Sequence, residues 1–200
     1  MRHPLDLAPL YRLWQLPFVA QKVEAFRRRV VLEPATRVLD IGCGPGTNAK
    51  LFAGTDYVGI DRDLGYVRSA CQRGLRVIAG DAAALPIRSD RPFDCVFVNS
   101  LLHHLDDGQA LALLTSAATL VGPNGQLHVI DLVVPERRGI ASALAHADRG
   151  EHPRTRSHLR SLLVRRFDLN VEEPFRLRLA GLPLWAMVYY RGTAREDGCE

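Results

Sequence analysis

Short apolar runs alternate with longer amphipathic segments along most of the chain. The apolar runs predict strands at residues 37–41, 56–60, 76–79, 93–98 and 126–133. The segments between them have helical spacing or helix-start residues and predict helices at about 46–53, 64–73 and 108–121. Strands that alternate with helices in this way are typical of a parallel sheet with helices on both faces.

The beginning of the chain predicts helix and no strand. Residues 7–32 predict two helical pieces broken near Pro17, because Phe18, Val23 and Phe26 recur at helical spacing after the proline. A proline inside a helix removes one backbone hydrogen bond and favours such a break. We therefore expect a helical cap on the sheet.

The end of the chain departs from the alternation as well. Residues 135–157 are rich in Arg, His, Gly and Pro, and a short helix is predicted at about 157–166. Strand-like runs follow at 168–179 and 184–190. Only a tight connection fits between these two runs, so they predict an antiparallel pair.

These patterns predict one domain over residues 1–200, without internal repeats. We expect a helical cap at 1–33, a cofactor-binding core at 34–134, a substrate-side insertion at 135–166 and closing antiparallel strands at 167–192. A chain of 200 residues is long enough to bury a sizeable core as one α/β domain.

Composition narrows the class of protein only slightly. Charged residues make up 24% and hydrophobic residues 47%, and the net charge of +4 comes from arginines scattered in pairs, which favours solvated helix faces over a nucleic-acid surface. The four cysteines lack metal-ligand spacing, so we expect reduced thiols and no metal site. The longest apolar run, at 111–121, is too short for a membrane span, and the first residues lack a signal-peptide core. These features predict a cytoplasmic protein.

The most informative motif is the sequence VLDIGCGPG at 38–46. A strand that enters a glycine-rich turn can direct backbone N–H groups at a ligand. A second acid, Asp61, ends the next apolar run, at the spacing by which a neighbouring parallel strand delivers a carboxylate to a ribose diol. The glycine-rich turn and Asp61 together predict an adenosine-containing cofactor.

The spacing of the glycines argues against a dinucleotide. A nicotinamide-binding turn has a third glycine or alanine where this chain has Thr47, and the additional glycine stands at Gly46 instead. That spacing gives a wider turn, which suits a single nucleoside with a short charged tail.

In four motifs the chain resembles the class I S-adenosylmethionine-dependent methyltransferases, especially their small-molecule (methyltransferase type 11-like) branch. The motifs are VLDIGCGPG at 38–46, GID at 59–61, GDAAALP at 80–86 and FDCVFVNSLLHHL at 93–105. The resemblance covers about residues 36–133 and the closing strands. It implies an α/β fold, a Rossmann-like three-layer αβα sandwich. Its seven-stranded, mostly parallel sheet has the order 3-2-1-4-5-7-6 and an antiparallel last strand.

The resemblance also implies the residues that bind S-adenosylmethionine and its product S-adenosylhomocysteine. They are Asp40, Gly42, Cys43, Gly44, Gly46, Asn48, Asp61, Arg62, Asp81, Ala82, Asn99 and Ser100. Asp40 would hold the amino group, Asp61 both ribose hydroxyls and Asp81 the adenine amine. Two structural alternatives stay open, in which Asp81 caps a turn and Asn99 satisfies local backbone groups.

Methyl transfer from a sulfonium needs mainly alignment, and a base is needed only if the acceptor must lose a proton. His104 and His152 are the candidate bases, because the unperturbed pKa of histidine lies near neutrality. His104 could instead be a packing residue under the cofactor, and the loop of His152 could be a solvated surface.

Four residues are candidates for contact with the acceptor, namely Tyr11, His103, Arg149 and Arg154. The two arginines could bind a carboxylate or phosphate, which would suit an anionic small molecule. Tyr11 is equally suited to simple packing against the sheet.

We therefore predict a methyltransferase that acts on a small-molecule acceptor by in-line displacement. Nucleobase amino methyltransferases carry a proline-containing motif where this chain reads Asn99-Ser100-Leu101-Leu102, and the chain lacks the Pro-Cys nucleophile of cytosine-C5 enzymes. A nucleic-acid or protein acceptor and a non-catalytic cofactor-binding protein are the alternatives. The sequence does not predict the acceptor atom or the oligomeric state.

Overall fold

A computed structural model describes residues 8–88, 91–135 and 151–195, with side chains from residue 18 onward. The strands are β1 (Arg37–Ile41), β2 (Asp56–Asp61), β3 (Val77–Ala79), β4 (Phe93–Asn99), β5 (Val121–Val134), β6 (Arg154–Thr155), β7 (Phe167–Leu179) and β8 (Leu182–Ala194). The helices are α1 (Ala8–Arg27), α2 (Leu64–Gln72), α3 (Asp107–Leu120) and α4 (Arg156–Leu163). Two 3₁₀ turns, Ala49–Phe52 and Leu102–His104, complete the described elements.

The strands form one sheet in the order β3-β2-β1-β4-β5-β8-β7, and the short β6 pairs with β5 outside this path. β8 is antiparallel to both of its neighbours, whereas the pairs among β1 to β5 are parallel. The short β6 was not predicted, and it shifts the numbers of the last two strands by one. Without β6, the order is the predicted 3-2-1-4-5-7-6. The α/β fold class is therefore confirmed.

The closing antiparallel pair is also confirmed. Two residues, Ala180 and Gly181, connect β7 and β8, with φ of +48° and +81°. Positive φ at both central residues is the geometry that matches the twist of a tight hairpin.

The predicted break at Pro17 is wrong, since α1 is continuous for 20 residues. An internal proline costs about 3 kcal/mol. Here the loss is outweighed by packing, because Phe18 and Phe26 are each only 2% exposed in a cluster with Phe97. Among the described residues, neither α1 nor any other helix is long and apolar enough to cross a membrane.

Two further elements differ from their predicted form. The helix predicted at 46–53 is the 3₁₀ turn Ala49–Phe52, and β5 begins at Val121, several residues before the predicted start. The earlier start depends on a glycine, because a Cβ on Gly125 would lie 2.4 Å from the carbonyl oxygen of Phe93 on β4. The residues just before the predicted strand are therefore extended backbone packed closely against β4.

The sheet separates two apolar clusters. One includes side chains of α3 and α4, among them Leu113 and Leu163. The other includes Phe26 of α1 and Phe52 of the first 3₁₀ turn. β1 alternates between them, since Leu39 belongs to the first cluster and Val38 to the second. The polar residue that follows the same alternation, Asp40, therefore faces the α1 side.

The helix α1 also covers the edge strand β7. The Gln21 side chain donates to the backbone oxygen of Arg178 at 2.9 Å and accepts from the nitrogen of Arg178 at 2.9 Å. This pair of bonds replaces the pairing that a further strand would make there.

Candidate cofactor and substrate site

The glycine turn after β1 is fixed by backbone hydrogen bonds to β2. The nitrogens of Gly42 and Cys43 both donate to the carbonyl oxygen of Ile60, at 2.8 and 3.0 Å. The nitrogen of Gly44 donates to Oδ2 of Asp61 at 2.7 Å. The turn and the end of β2 therefore form one connected unit.

The three glycines of the turn are needed for different reasons. All have positive φ, and a Cβ on Gly42 would lie 2.8 Å from Leu101, while one on Gly46 would lie 2.4 Å from Leu75. A Cβ on Gly44 would meet nothing within 4 Å. Gly42 and Gly46 therefore allow close packing, whereas Gly44 faces open space where a ligand can approach.

Asp61 lies at the end of β2, beside that open space. Its Oδ2 accepts from Gly44 and its Oδ1 accepts from the nitrogen of Asp63 at 2.9 Å. Each carboxylate oxygen can accept two hydrogen bonds, so both retain capacity for a diol. The backbone bonds hold the carboxylate in one orientation, which suits bidentate binding.

Asp40 is a buried carboxylate with one unsatisfied oxygen. The residue is 1% exposed, and its Oδ2 accepts from the hydroxyl of Tyr57 at 3.0 Å. Its Oδ1 has no hydrogen-bond partner among the described residues. Burial raises the pKa of Asp40 to about 7, against the lowering effect of the Tyr57 hydrogen bond, and the charge of Asp61 raises it further. A cationic donor is the group that would satisfy Oδ1.

Cys43 contributes packing beneath the turn. It is buried, and a Cβ on Gly59 would lie 2.7 Å from its Sγ, so the thiol occupies space that only a glycine on β2 leaves open. Burial raises the pKa of the thiol well above its usual range, with a further contribution from the charge of Asp40. The thiol is therefore neutral and unreactive, and contact of Cys43 with a cofactor stays a prediction for its backbone.

Asp81 follows β3 in a tight turn. Its Oδ1 accepts from the nitrogen of Ala83 at 2.9 Å, which is the turn-capping role named as the alternative. The nitrogen of Gly80 donates to the carbonyl oxygen of Asp61 at 3.0 Å, so this turn is attached to the end of β2. Capping leaves acceptor capacity on the carboxylate. Contact of Asp81 and the buried Ala82 with adenine stays a prediction.

The end of β4 brings Asn99 and Ser100 to the same edge. The Ser100 hydroxyl donates to Oδ1 of Asn99 at 3.1 Å and accepts from Nζ of Lys22 at 3.3 Å. Ser100 has a φ of +55°, which is uncommon for a residue with a side chain. Backbone strain of this kind is enriched at functional sites. Lys22 reaches this edge from α1.

The predicted substrate residue His103 is held by a buried acid. Its Nδ1 lies in a short contact with Oδ1 of Asp131, which also accepts from the nitrogen of Leu132 at 2.7 Å. Burial raises the pKa of Asp131, but the charge and hydrogen bond of His103 outweigh it and the net pKa is lowered. The ring of His104, a predicted base, is centred 4.2 Å from that of His103. The two histidines therefore form one unit beside the end of β5.

Arg154 has different partners from those expected of a substrate residue. Its guanidinium is buried and donates to the carbonyl oxygens of Leu102 and Leu105, each at 2.6 Å, and to Asp107 at 2.8 Å. These bonds fasten the returning chain to the turn that follows β4, and contact of Arg154 with an acceptor stays a prediction. His152, the second predicted base, is exposed, and its backbone N–H donates to the backbone carbonyl oxygen of His103 at 3.0 Å.

The structure says less about the other residues predicted to contact the cofactor or the acceptor. Asn48 precedes the first 3₁₀ turn without a side-chain capping bond, and Arg62 is exposed beside Asp61. Arg149 and the side chain of Tyr11 lie outside the described residues. Within the described ranges, no group of three or more His, Cys, Asp or Glu side chains could hold a metal ion.

Sequence reasoning missed Lys22, Tyr57 and Asp131. Two of them could have been noticed in the sequence. Lys22 interrupts the apolar helical spacing of α1, and Asp131 is an acid inside the apolar run of β5. The role of Tyr57 depends on the register that sets β2 beside β1 and has no local signal.

Comparisons with known proteins find similarity to methyltransferases. Residues 38–125 match the family described as "Methyltransferase domain". A demethylmenaquinone methyltransferase of Renibacterium salmoninarum is 31% identical over 138 residues, which cover 65% of this chain and 57% of the relative. A probable tRNA methyltransferase 9B of Mus musculus is 30% identical over 62% of this chain and 32% of the relative. The chain thus spans just over half of the first relative.

The fold has solved counterparts. A structure from Thermotoga maritima, titled as an S-adenosylmethionine-dependent methyltransferase and possible histamine N-methyltransferase, superposes with a TM-score of 0.74. It is 19% identical, and the match covers 94% of this chain and 95% of that one. At this identity the likeness concerns the fold.

Proposed function

We propose that this chain, which carries a methyltransferase domain of the class I S-adenosylmethionine-dependent family, transfers a methyl group from that cofactor to a small-molecule acceptor. The unsatisfied Oδ1 of Asp40 carries the proposal, because a buried carboxylate oxygen without a donor fits a ligand that brings an ammonium group. Open space at Gly44 and the fixed carboxylate of Asp61 support a nucleoside beside it.

The residues present fit the amino group and the ribose of the cofactor. Asp40 would bind the amino group, Gly44 would let the backbone approach the amino-acid part, and Asp61 would accept from the ribose hydroxyls. The sulfonium of S-adenosylmethionine supplies an activated methyl group. The chain's own contribution is then to hold that group in line with an acceptor atom, an effect worth roughly 7–11 kcal/mol for well-oriented reactants.

A base is needed only where the acceptor loses a proton. His104 and His152 remain the proposed bases, and the structure supports a role for their neighbour His103 as well, since Asp131 fixes its ring by a hydrogen bond at Nδ1. A carboxylate at one ring nitrogen favours proton uptake at the other nitrogen. The contribution of such a base is about 10²–10⁴-fold.

Ion pairing of three arginines near the end of the chain favours a small-molecule acceptor over RNA. Arg156 and Arg160 both pair with Glu172, and Arg195 pairs with Asp168, so these cations are partly neutralised. RNA is the second candidate, because one relative bears the name of a tRNA methyltransferase. Phosphate binding would require free cations clustered on one face.

Calorimetry on the purified protein tests the cofactor half of the proposal. We expect S-adenosylhomocysteine to bind, because it presents the ammonium and the diol to Asp40 and Asp61. Absence of binding would contradict the proposed function. Labelled S-adenosylmethionine with separate metabolite and RNA fractions then tests the acceptor: label in the RNA alone would replace the first candidate with the second.

Replacing Tyr57 by phenylalanine is expected to shift the pH dependence of cofactor binding upward. An ionised Asp40 attracts an ammonium group, and its pKa of about 7 predicts wild-type affinity that strengthens as pH rises through neutrality. The variant lacks the hydroxyl that lowers this pKa, so Asp40 should ionise at a higher pH. The increase in affinity should therefore occur at a higher pH than in the wild type. Affinities for S-adenosylhomocysteine between pH 6 and 9 provide the measurement. Superimposable pH profiles would contradict this role of Tyr57.

A further inference from the structure

Lys22 stands on the apolar face of α1. Phe18 and Phe26 lie four residues before and after it, and both are 2% exposed. Residues at this spacing share one face of a helix. A charged side chain at such a position costs free energy unless it has a partner or a function. Lys22 is half-buried, so its stem packs with the cluster while its ammonium extends away from it.

The ammonium of Lys22 lies at the carboxyl end of β4. Its Nζ is 3.3 Å from the Ser100 hydroxyl, which in turn donates to Asn99. In the register of the sheet Asp40 pairs with Phe97, and Asn99 follows on the same face two residues later. Lys22 therefore provides a positive charge on the side of the sheet where the unsatisfied oxygen of Asp40 lies.

The acids described at this site leave one group of an amino-acid ligand unmatched. Asp40 and Asp61 suit an ammonium and a diol, but both repel the carboxylate that an amino-acid ligand also carries. We propose that Lys22 binds the carboxylate of the cofactor's methionine part, a role that rests on the proposed function. Lys22 thereby makes the site selective for adenosine compounds that retain the amino-acid carboxylate.

Two ligands and two variants test this role. S-adenosylhomocysteine contains the carboxylate, and 5′-methylthioadenosine has the same nucleoside without the amino-acid part. The variant Lys22→Met keeps an apolar stem and removes the charge, and Lys50→Met removes the exposed charge of the other lysine of the chain as a matched control. Dissociation constants by calorimetry and thermal unfolding are measured for each protein.

In Lys22→Met we expect affinity for S-adenosylhomocysteine to fall about 10- to 100-fold, the usual effect of losing a hydrogen bond to a charged group. Affinity for 5′-methylthioadenosine and the thermal midpoint should be unchanged, and Lys50→Met should match the wild type with both ligands. Equal losses for the two ligands, or no loss for either, would overturn the role of Lys22. Failure of the wild type to bind S-adenosylhomocysteine would instead overturn the proposed function.

Discussion

Asp61→Ala is expected to lower the affinity for S-adenosylhomocysteine by about 100-fold or more. The change removes an acceptor for two ribose hydroxyls, and each hydrogen bond to a charged group is worth about 1.5–3 kcal/mol. It also releases the nitrogen of Gly44, which donates to Oδ2 of Asp61 at 2.7 Å. The nucleoside contact and the shape of the glycine turn are therefore lost together. Calorimetry with S-adenosylhomocysteine measures the effect.

Asp63→Ala is the matched control for this experiment. Asp63 lies two residues further along, and its side chain caps α2 by accepting from Gly65 and Tyr66 at 2.8 and 2.9 Å. Loss of a cap costs about 1 kcal/mol of stability, and we expect cofactor affinity to be nearly unchanged. If both alanine variants bind as tightly as the wild type, the ribose role of Asp61 is wrong.

Asp131→Ala is expected to destabilise the protein by about 3–5 kcal/mol, because removal of one partner leaves the other polar group buried without compensation. Asp131 is 1% exposed and His103 is 5% exposed. Urea unfolding measures the difference. Asp168→Ala is the control, since Asp168 pairs with Arg195 at the surface, and exposed pairs contribute about 1 kcal/mol or less. Similar losses in the two variants would contradict a special role for the buried pair.

The contribution of Asp131 also has a pH dependence with a definite sign. The folded pKa lies below the unfolded value of about 3.9. The stabilisation is therefore fully present above about pH 4 and decreases as pH falls through the folded pKa. The difference in unfolding free energy between wild type and Asp131→Ala should shrink on acidification in that range. A difference that grows toward low pH would contradict the assignment.

The strands and the glycine turn could be predicted because their signals are local. An apolar run followed by glycines specifies a buried strand and a turn within a few residues, and Gly42, Gly44 and Gly46 all adopt the positive φ that such a turn needs. The tight connection before β8 also contains its own signal, because few residues separate two long strand-like runs. The fold class follows from these elements.

The missed features depend on positions far apart in the chain. His103 meets Asp131 only because β4 and β5 are parallel neighbours, and Lys22 meets Ser100 only because α1 crosses the sheet. The partners of Arg154 were missed for a related reason, since they include the backbone oxygens of Leu102 and Leu105, which no composition signal identifies. Such pairings can be predicted only when the register of the sheet is known.

The bonds between Gln21 and Arg178 bear on how copies of this protein behave together. An open sheet edge offers unpaired backbone groups to a second chain and favours aggregation. At one edge this protein covers the strand with a helix, and at the other edge β3 is only three residues long. Short strands and covered edges both discourage pairing between molecules. Shortened versions of the chain that lack α1 would expose β7 and should self-associate through it.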